Sequence, residues 1–181
     1  YKWIVSKEGN HGIKHRVEID RMFPGTRFIV IVRDPRDVYA SLKQIAGKKR
    51  SGVDTPTFKD SMSPGRFILD NHGKNFAAFE KCMMSDDLDN EMYLFLRYDD
   101  VVRNPKNQLT RVTEFLNIPF QNSLLQPTNF RNVWGGNSSS LKGFTGLTSS
   151  RTQKWKTELV PRDKRLVEHF LCRYLVKGEY E

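Results

Sequence analysis

The sequence predicts an α/β fold: a parallel β-sheet flanked by helices. Two apolar runs, Phe28-Ile-Val-Ile-Val32 and Met92-Tyr-Leu-Phe-Leu96, read as interior strands. A helix start, Asp34-Pro35, follows the first run at once, Asn104-Pro105 opens a helix after the second, and helical patterns fill much of the chain between the runs. The resulting order is strand, helix, strand, helix, helix, strand, helix. That alternation sets the strands side by side and parallel, joined by right-handed crossovers.

Residues 2–6 read as a short strand, because Trp3 and Val5 alternate with polar neighbours. Residues 10–23 read as a helix with Ile13, Val17, Met22 and Phe23 on a rough apolar face, ended by Pro24-Gly25. The β-branched run between Arg27 and Arg33 fits a strand buried on both faces. Asp34-Pro35-Arg36-Asp37 opens the next helix. Asp34 suits the N-cap, Pro35 the first helical position, and Asp37 stands three after the cap, as in a capping box. This helix carries Val38, Leu42 and Ile45 and stops near Gly47. Residues 47–65 are rich in Gly, Ser, Pro, Thr and Lys and read as a long loop. Residues 66–84 read as a helix with Phe67, Phe76, Phe79 and Met83 as core candidates. The second strong strand covers residues 92–98. Asn104-Pro105 opens a helix bearing Leu109, Val112, Phe115 and Leu116. Residues 121–150 read as irregular, and Pro161 starts a last helix running through Leu175.

Composition narrows the function classes. The chain has 181 residues, with 30 Lys or Arg against 21 Asp or Glu, a net charge of +9. That balance favours anionic partners. Lys48-Lys49-Arg50 is the only three-residue basic run, and the other cations are interleaved with acids, so a nucleic-acid face is not expected. No apolar run approaches the length needed to cross a bilayer, and the first residues have no secretory h-region, so the expected location is cytoplasmic. Cys82 and Cys172 do not make a disulfide framework or a zinc pair, and are expected to be free and buried; no metal is expected. No Gly-x-x-x-x-Gly-Lys-[Ser/Thr] occurs, which argues against ordinary P-loop NTPase chemistry.

In parallel sheets, ligands bind beyond the carboxyl ends of the strands. Three segments hold that position: residues 7–11, 33–41 and those from Tyr98 onward. Arg33 closes an interior strand where a helix begins. The helix start offers unpaired N–H groups and a positive dipole end, and an arginine adds a fork that fits phosphate. Ser41 adds a hydroxyl two turns later. From spacing alone the same arginine serves equally well as an ion-pair partner of Asp37 or Asp99.

The segment Val32-Arg33-Asp34-Pro35-Arg36-Asp37-Val38-Tyr39-Ala40-Ser41 resembles the 3′-phosphate-binding segment of sulfotransferases that use 3′-phosphoadenosine 5′-phosphosulfate (PAPS). Leu96-Arg97-Tyr98-Asp99-Asp100-Val101-Val102-Arg103-Asn104-Pro105 is similar to that family's next landmark. Met22-Phe23-Pro24-Gly25-Thr26-Arg27 looks like its lead-in, and Ser150-Arg151 with Lys154-Trp155-Lys156 looks like its closing segment. The resemblance covers most of the chain in the expected order. It implies that Arg33 and Ser41 hold the 3′-phosphate, that Tyr98 lies against the adenine, and that Arg151 folds back toward the same phosphate.

Sulfuryl transfer also needs a base to take the acceptor's proton and cations around the leaving phosphate. By resemblance to the cytosolic branch of the family, Lys7 and His11 are the candidates, and Glu8 is the alternative base. His11 fits an exposed helix-capping role equally well. Nothing in the 181 residues matches the family's Pro-Lys-Ser-Gly-Thr-Thr phosphate loop. The resemblance therefore implies a single domain over residues 1–181, a sulfotransferase-like three-layer sandwich missing its first strand-loop-helix unit and inactive alone. The expected donor is PAPS, and the acceptor a small molecule or carbohydrate with a hydroxyl or amine. The alternative is a non-catalytic basic module that binds nucleotides or polyanions, with steeply salt-dependent affinity.

Overall fold

Two five-residue strands, β1 (Phe28–Val32) and β2 (Tyr93–Arg97), lie parallel, in register from Phe28 opposite Tyr93 to Val32 opposite Arg97. The computed structural model describes residues 4–7, 15–47, 63–71, 91–129, 132–133, 147–150 and 152–180. The facing Phe28 and Tyr93 rings stack with centroids 5.2 Å apart, a cross-strand pair that fixes this register.

Helix α1 (Arg16–Met22) precedes β1 and ends in a turn where the Thr26 N–H reaches the Phe23 carbonyl. Pro24 and Gly25 occupy the centre of that turn. Gly25 has φ 80°, which a turn of this kind asks of its third residue. Helix α2 (Pro35–Gly47) leaves the end of β1, and α3 (Pro64–Asn71) follows. After β2 come α4 (Tyr98–Arg103) and α5 (Pro105–Leu116). Asn117 closes α5 at φ 52°, the left-handed conformation that ends many helices. A 3₁₀ turn (Asn122–Leu125) and a two-residue antiparallel pair, β3 (Thr128–Asn129) with β4 (Asn132–Val133), fall where irregular structure is expected. The C-terminal part holds α6 (Trp155–Glu158), α7 (Pro161–Phe170) and α8 (Cys172–Lys177).

The core lies where one face of the sheet meets α2, α3 and α6–α8. Val30 and Val32 pack there with Tyr39, Phe67, Ile68, Trp155, Leu159, Val167, Leu171, Tyr174 and Leu175. Each fully buried large side chain in such a core contributes about 1.5–3 kcal/mol. Two tyrosines fasten the C-terminal segment to the end of β1: Tyr180 donates its hydroxyl to the Val32 carbonyl at 3.1 Å, and Tyr174 to the Arg33 carbonyl at 3.4 Å. Burial pushes the titration of both phenols upward.

Several expectations need correction. β1 is not buried on both faces: Val30 and Val32 are covered, whereas Ile31 is 55% exposed. Side chains alternate across a strand, and among the described residues helices pack only the valine side. Residues 4–7 have no regular structure, so the described part of the expected strand over 2–6 is not one. α1 buries no residue, and Val17, Met22 and Phe23 are exposed. The last helix is two helices, parted at Leu171, whose side chain turns into the core and whose backbone leaves helical geometry at φ −113°, ψ 20°. Cys172 is free but exposed, because it directly follows that inward-facing leucine. The core candidates Phe76, Phe79 and Met83, together with Cys82, lie outside the described residues. Among the described residues no helix is long and apolar enough to cross a membrane.

Candidate functional site

The register of the sheet puts Val32 opposite Arg97, so the next residue of each strand, Arg33 and Tyr98, leaves the same edge. Their side chains meet there: the Arg33 guanidinium carbon lies 4.7 Å from the centre of the Tyr98 ring. Stacking of this kind holds a guanidinium flat and aims its N–H fork along its own plane, toward a planar or tetrahedral oxyanion. Both residues are half-buried.

The start of α2 is built as the sequence suggests at its cap. Asp34 Oδ1 accepts the Arg36 backbone N–H at 2.8 Å, and Pro35 takes the position where no N–H is needed. Arg36 then returns to the same carboxylate, with Nε 3.0 Å from Oδ1 and Nη2 2.8 Å from Oδ2. Its remaining Nη1 meets Glu168 at 2.9 Å, and its guanidinium carbon lies 3.8 Å from the centre of the Trp155 ring. Arg36 is therefore a structural clamp.

Asp37 departs from the capping-box expectation. It reaches away from its own helix, where Asp34 already serves as the cap, and grips the chain before α6. Oδ2 accepts the Gln153 N–H at 2.7 Å and Oδ1 accepts the Trp155 N–H at 3.0 Å. Burial pushes its carboxyl upward and the Asp34 charge adds to this, while the two N–H bonds and Arg33 pull the other way; burial prevails. Asp99, beside Tyr98, is also buried, and its Oδ1 has no hydrogen-bond partner. Burial raises its carboxyl, and the charges of Asp37 and Asp34 reinforce that against Arg103 and Arg97.

Arg103, at the end of α4, lies 3.9 Å from Asp99 and donates to Thr152 Oγ1 at 3.4 Å. Residues 152–155 are thus tied both to the start of α2 and to the end of α4. A cleft of about 250 Å³ opens nearby, lined by Val32, Arg97, Asp100, Arg111, Lys177 and Glu179 among others. Arg33 and Tyr98 do not line it.

The structure brings together two of the residues singled out in the sequence, Arg33 and Tyr98. Ser41 lies on α2, half-buried, one turn beyond Asp37. Lys7 is exposed in the irregular stretch 4–7. Glu8, His11 and Arg151 lie outside the described residues. Residues that sequence reasoning passed over are Asp37 as a tether, Asp99 as a buried acid, and Trp155 as the platform for Arg36. The available clue was a helix start with two carboxylates when one suffices as a cap. Among the described residues no group of His, Cys, Asp or Glu is placed to hold a metal ion.

A family model described as the sulfotransferase family matches residues 1–122. Carbohydrate sulfotransferase 2 of Homo sapiens is 26% identical over 160 residues, covering 84% of this chain and 29% of the relative. Protein-tyrosine sulfotransferase A of Caenorhabditis elegans is 24% identical over 115 residues, covering 62% of this chain and 27% of the relative. The chain thus spans less than a third of the length of either curated relative. The solved sulfotransferase domain from the curacin biosynthetic pathway superposes with a TM-score of 0.57 at 22% identity, over 98% of this chain and 62% of that one. That likeness shows the fold.

Proposed function

The chain belongs to the sulfotransferase family, and from that premise we propose that it carries the 3′-phosphate-binding part of a site for PAPS, from which a sulfuryl group passes to a hydroxyl or amine acceptor. The observation that carries this reading is the Arg33 guanidinium stacked at 4.7 Å on Tyr98, where two parallel strands end.

The donor supplies an activated sulfonate whose leaving group is a nucleotide phosphate. The residues fit such a ligand. Arg33 offers a planar cation at a helix start, Ser41 stands two turns along that helix, and Tyr98 offers an aromatic edge and ring for a base. Arg151, in the chain leading to the tethered Gln153, is assigned to the same phosphate. Arg36 is excluded from that role, because its donors are taken by Asp34 and Glu168. His11 is assigned as the base that takes the acceptor's proton, with Glu8 as its alternative, and Lys7 as a cation toward the transferring group. The acceptor class is a small molecule or carbohydrate; the relatives' names include both carbohydrate and protein-tyrosine sulfotransferases.

Ligand competition tests the reading. Adenosine 3′,5′-bisphosphate is expected to displace a fluorescent adenosine bisphosphate from the protein, and ATP to do so poorly. Equal displacement by ATP, or displacement governed only by salt, contradicts it.

A further inference from the structure

Arg33 and Tyr98 each leave the end of a strand, and the residues just before them, Val32 and Arg97, face each other across the sheet. One side chain touches both. The Tyr180 hydroxyl donates to the Val32 carbonyl at 3.1 Å, and the Arg97 guanidinium carbon lies 4.7 Å from the centre of the Tyr180 ring. Tyr180 is buried, and it stands 148 residues beyond Val32 in the chain. Beside it, Tyr174 of α8 donates its hydroxyl to the Arg33 carbonyl at 3.4 Å. The two carbonyls at the end of β1 are thus held in succession by two phenols, and a buried phenol or carbonyl that lost such a partner would be left unsatisfied.

The chain is bent to bring the Tyr180 ring to this place. After α8 the Tyr180 N–H reaches back to the Leu175 carbonyl at 2.8 Å and the Glu179 N–H to the Val176 carbonyl at 3.0 Å, the paired bonds of a Schellman cap. Such a cap needs one left-handed residue, usually glycine. Here Glu179 takes that conformation, at φ 53°, against the steric preference of a residue with a side chain. The glycine stands one residue earlier, where the ring needs room: a Cβ on Gly178 would lie 2.8 Å from carbons of the Tyr180 ring and 3.0 Å from the Tyr174 carbonyl oxygen. Glu179 in turn brings a carboxylate oxygen to 3.6 Å from Arg97 Nη1. Ending a helix does not call for this exchange of places between glycine and glutamate. Carrying a tyrosine onto two strand ends does.

We propose that Tyr180 is a positioning residue for ligand binding: it bridges the ends of β1 and β2 through the Val32 carbonyl and the Arg97 guanidinium, and so fixes the backbone from which Arg33 and Tyr98 leave to form their stacked pair. The inference rests on the nucleotide reading above and adds the segment after α8 to the site's supports. Tyr180 acts through Arg33 and Tyr98. Preorganisation of this kind is set by the groups that hold a binding side chain in place.

The test is a double-variant cycle in the full-length protein, read by calorimetry with adenosine 3′,5′-bisphosphate. Tyr180→Phe keeps the ring on Arg97 and removes only the bond to Val32. It is expected to weaken binding about fivefold, and to add less than about twofold once Arg33→Ala is present, because the hydroxyl acts through that guanidinium. Val167→Ala, a cavity at a fully buried position of α7, is the control for stability alone. It is expected to lower the melting temperature at least as much as Tyr180→Phe and to bind within about twofold of the parent. If circular dichroism shows Tyr180→Phe unfolded, Gly178→Ala, which displaces the ring, takes its place in the same cycle. Affinity of the folded variant within about twofold of the parent, an equal loss in Val167→Ala, or losses that multiply independently with Arg33→Ala overturns the proposal. Undiminished binding in Arg33→Ala, or none in the parent, overturns the nucleotide reading instead, so the two failures are separable.

Discussion

The Arg36 guanidinium lies 3.8 Å over the Trp155 ring while Asp34 and Glu168 hold its edges, so one side chain joins the end of β1, the start of α2 and the C-terminal helices. Arg36 and Asp34 are both 3% exposed. Arg36→Ala leaves the Asp34 carboxylate buried without its partner, and such a loss costs about 3–5 kcal/mol. Thermal unfolding is expected to fall by roughly 6–20 °C, given about 2–4 °C per kcal/mol for a chain of this size. Arg36→Lys keeps the charge and loses the fork and the flat stacking surface. Its expected melting temperature lies between those of parent and alanine variant.

Tyr98 separates stacking from hydroxyl chemistry. Tyr98→Phe keeps the ring beneath Arg33 and is expected to bind adenosine 3′,5′-bisphosphate within about twofold of the parent. Tyr98→Ala removes the face that holds the guanidinium flat, an interaction of about 0.5–2 kcal/mol, so its affinity is expected to drop several-fold. Calorimetry on the two variants checks the order.

Asp99 gives a pH dependence with a definite sign. Burial raises its folded-state carboxyl above the ordinary range, so the folded chain holds a proton that the unfolded chain releases. The stabilisation from that proton is fully present below the unfolded value of about 4 and is lost as the pH rises through the folded one. Asp99→Asn removes the buried charge and is expected to stabilise the protein at pH 7 by about 1 kcal/mol, with a smaller effect near pH 4. Urea unfolding at the two pH values measures this. A destabilised variant at pH 7 shows that Arg103 and Arg97 more than offset the burial.

The parts of this fold legible in the sequence are those set by local pattern. The apolar runs at residues 28–32 and 93–97 are strands, the order of elements gives parallel pairing, and Asp34-Pro35 marks a helix start to the residue. Arg33 and Tyr98 stood out because each follows a strand, and the register then brings them into contact. Contacts that depend on distant chain were not legible. Asp37 has the spacing of a local cap, and only tertiary folding sends it to Gln153 and Trp155. A β-branched run cannot report that one of its faces stays open, and the break at Leu171 has no proline or glycine to announce it.

No Pro-Lys-Ser-Gly-Thr-Thr loop occurs among the 181 residues. The purified 181-residue chain is expected to bind adenosine 3′,5′-bisphosphate weakly and to transfer little or no sulfate from PAPS in a radiolabel assay. Robust transfer would contradict this.

Calorimetric titration of adenosine 3′,5′-bisphosphate into the parent and Arg33→Ala proteins bears most directly on the central claim. A charge-assisted contact of about 1.5–3 kcal/mol predicts at least a tenfold weaker complex without the guanidinium. Identical affinities for a folded Arg33→Ala protein and its parent would show that the phosphate is held elsewhere, or that the edge formed by Arg33 and Tyr98 binds no nucleotide.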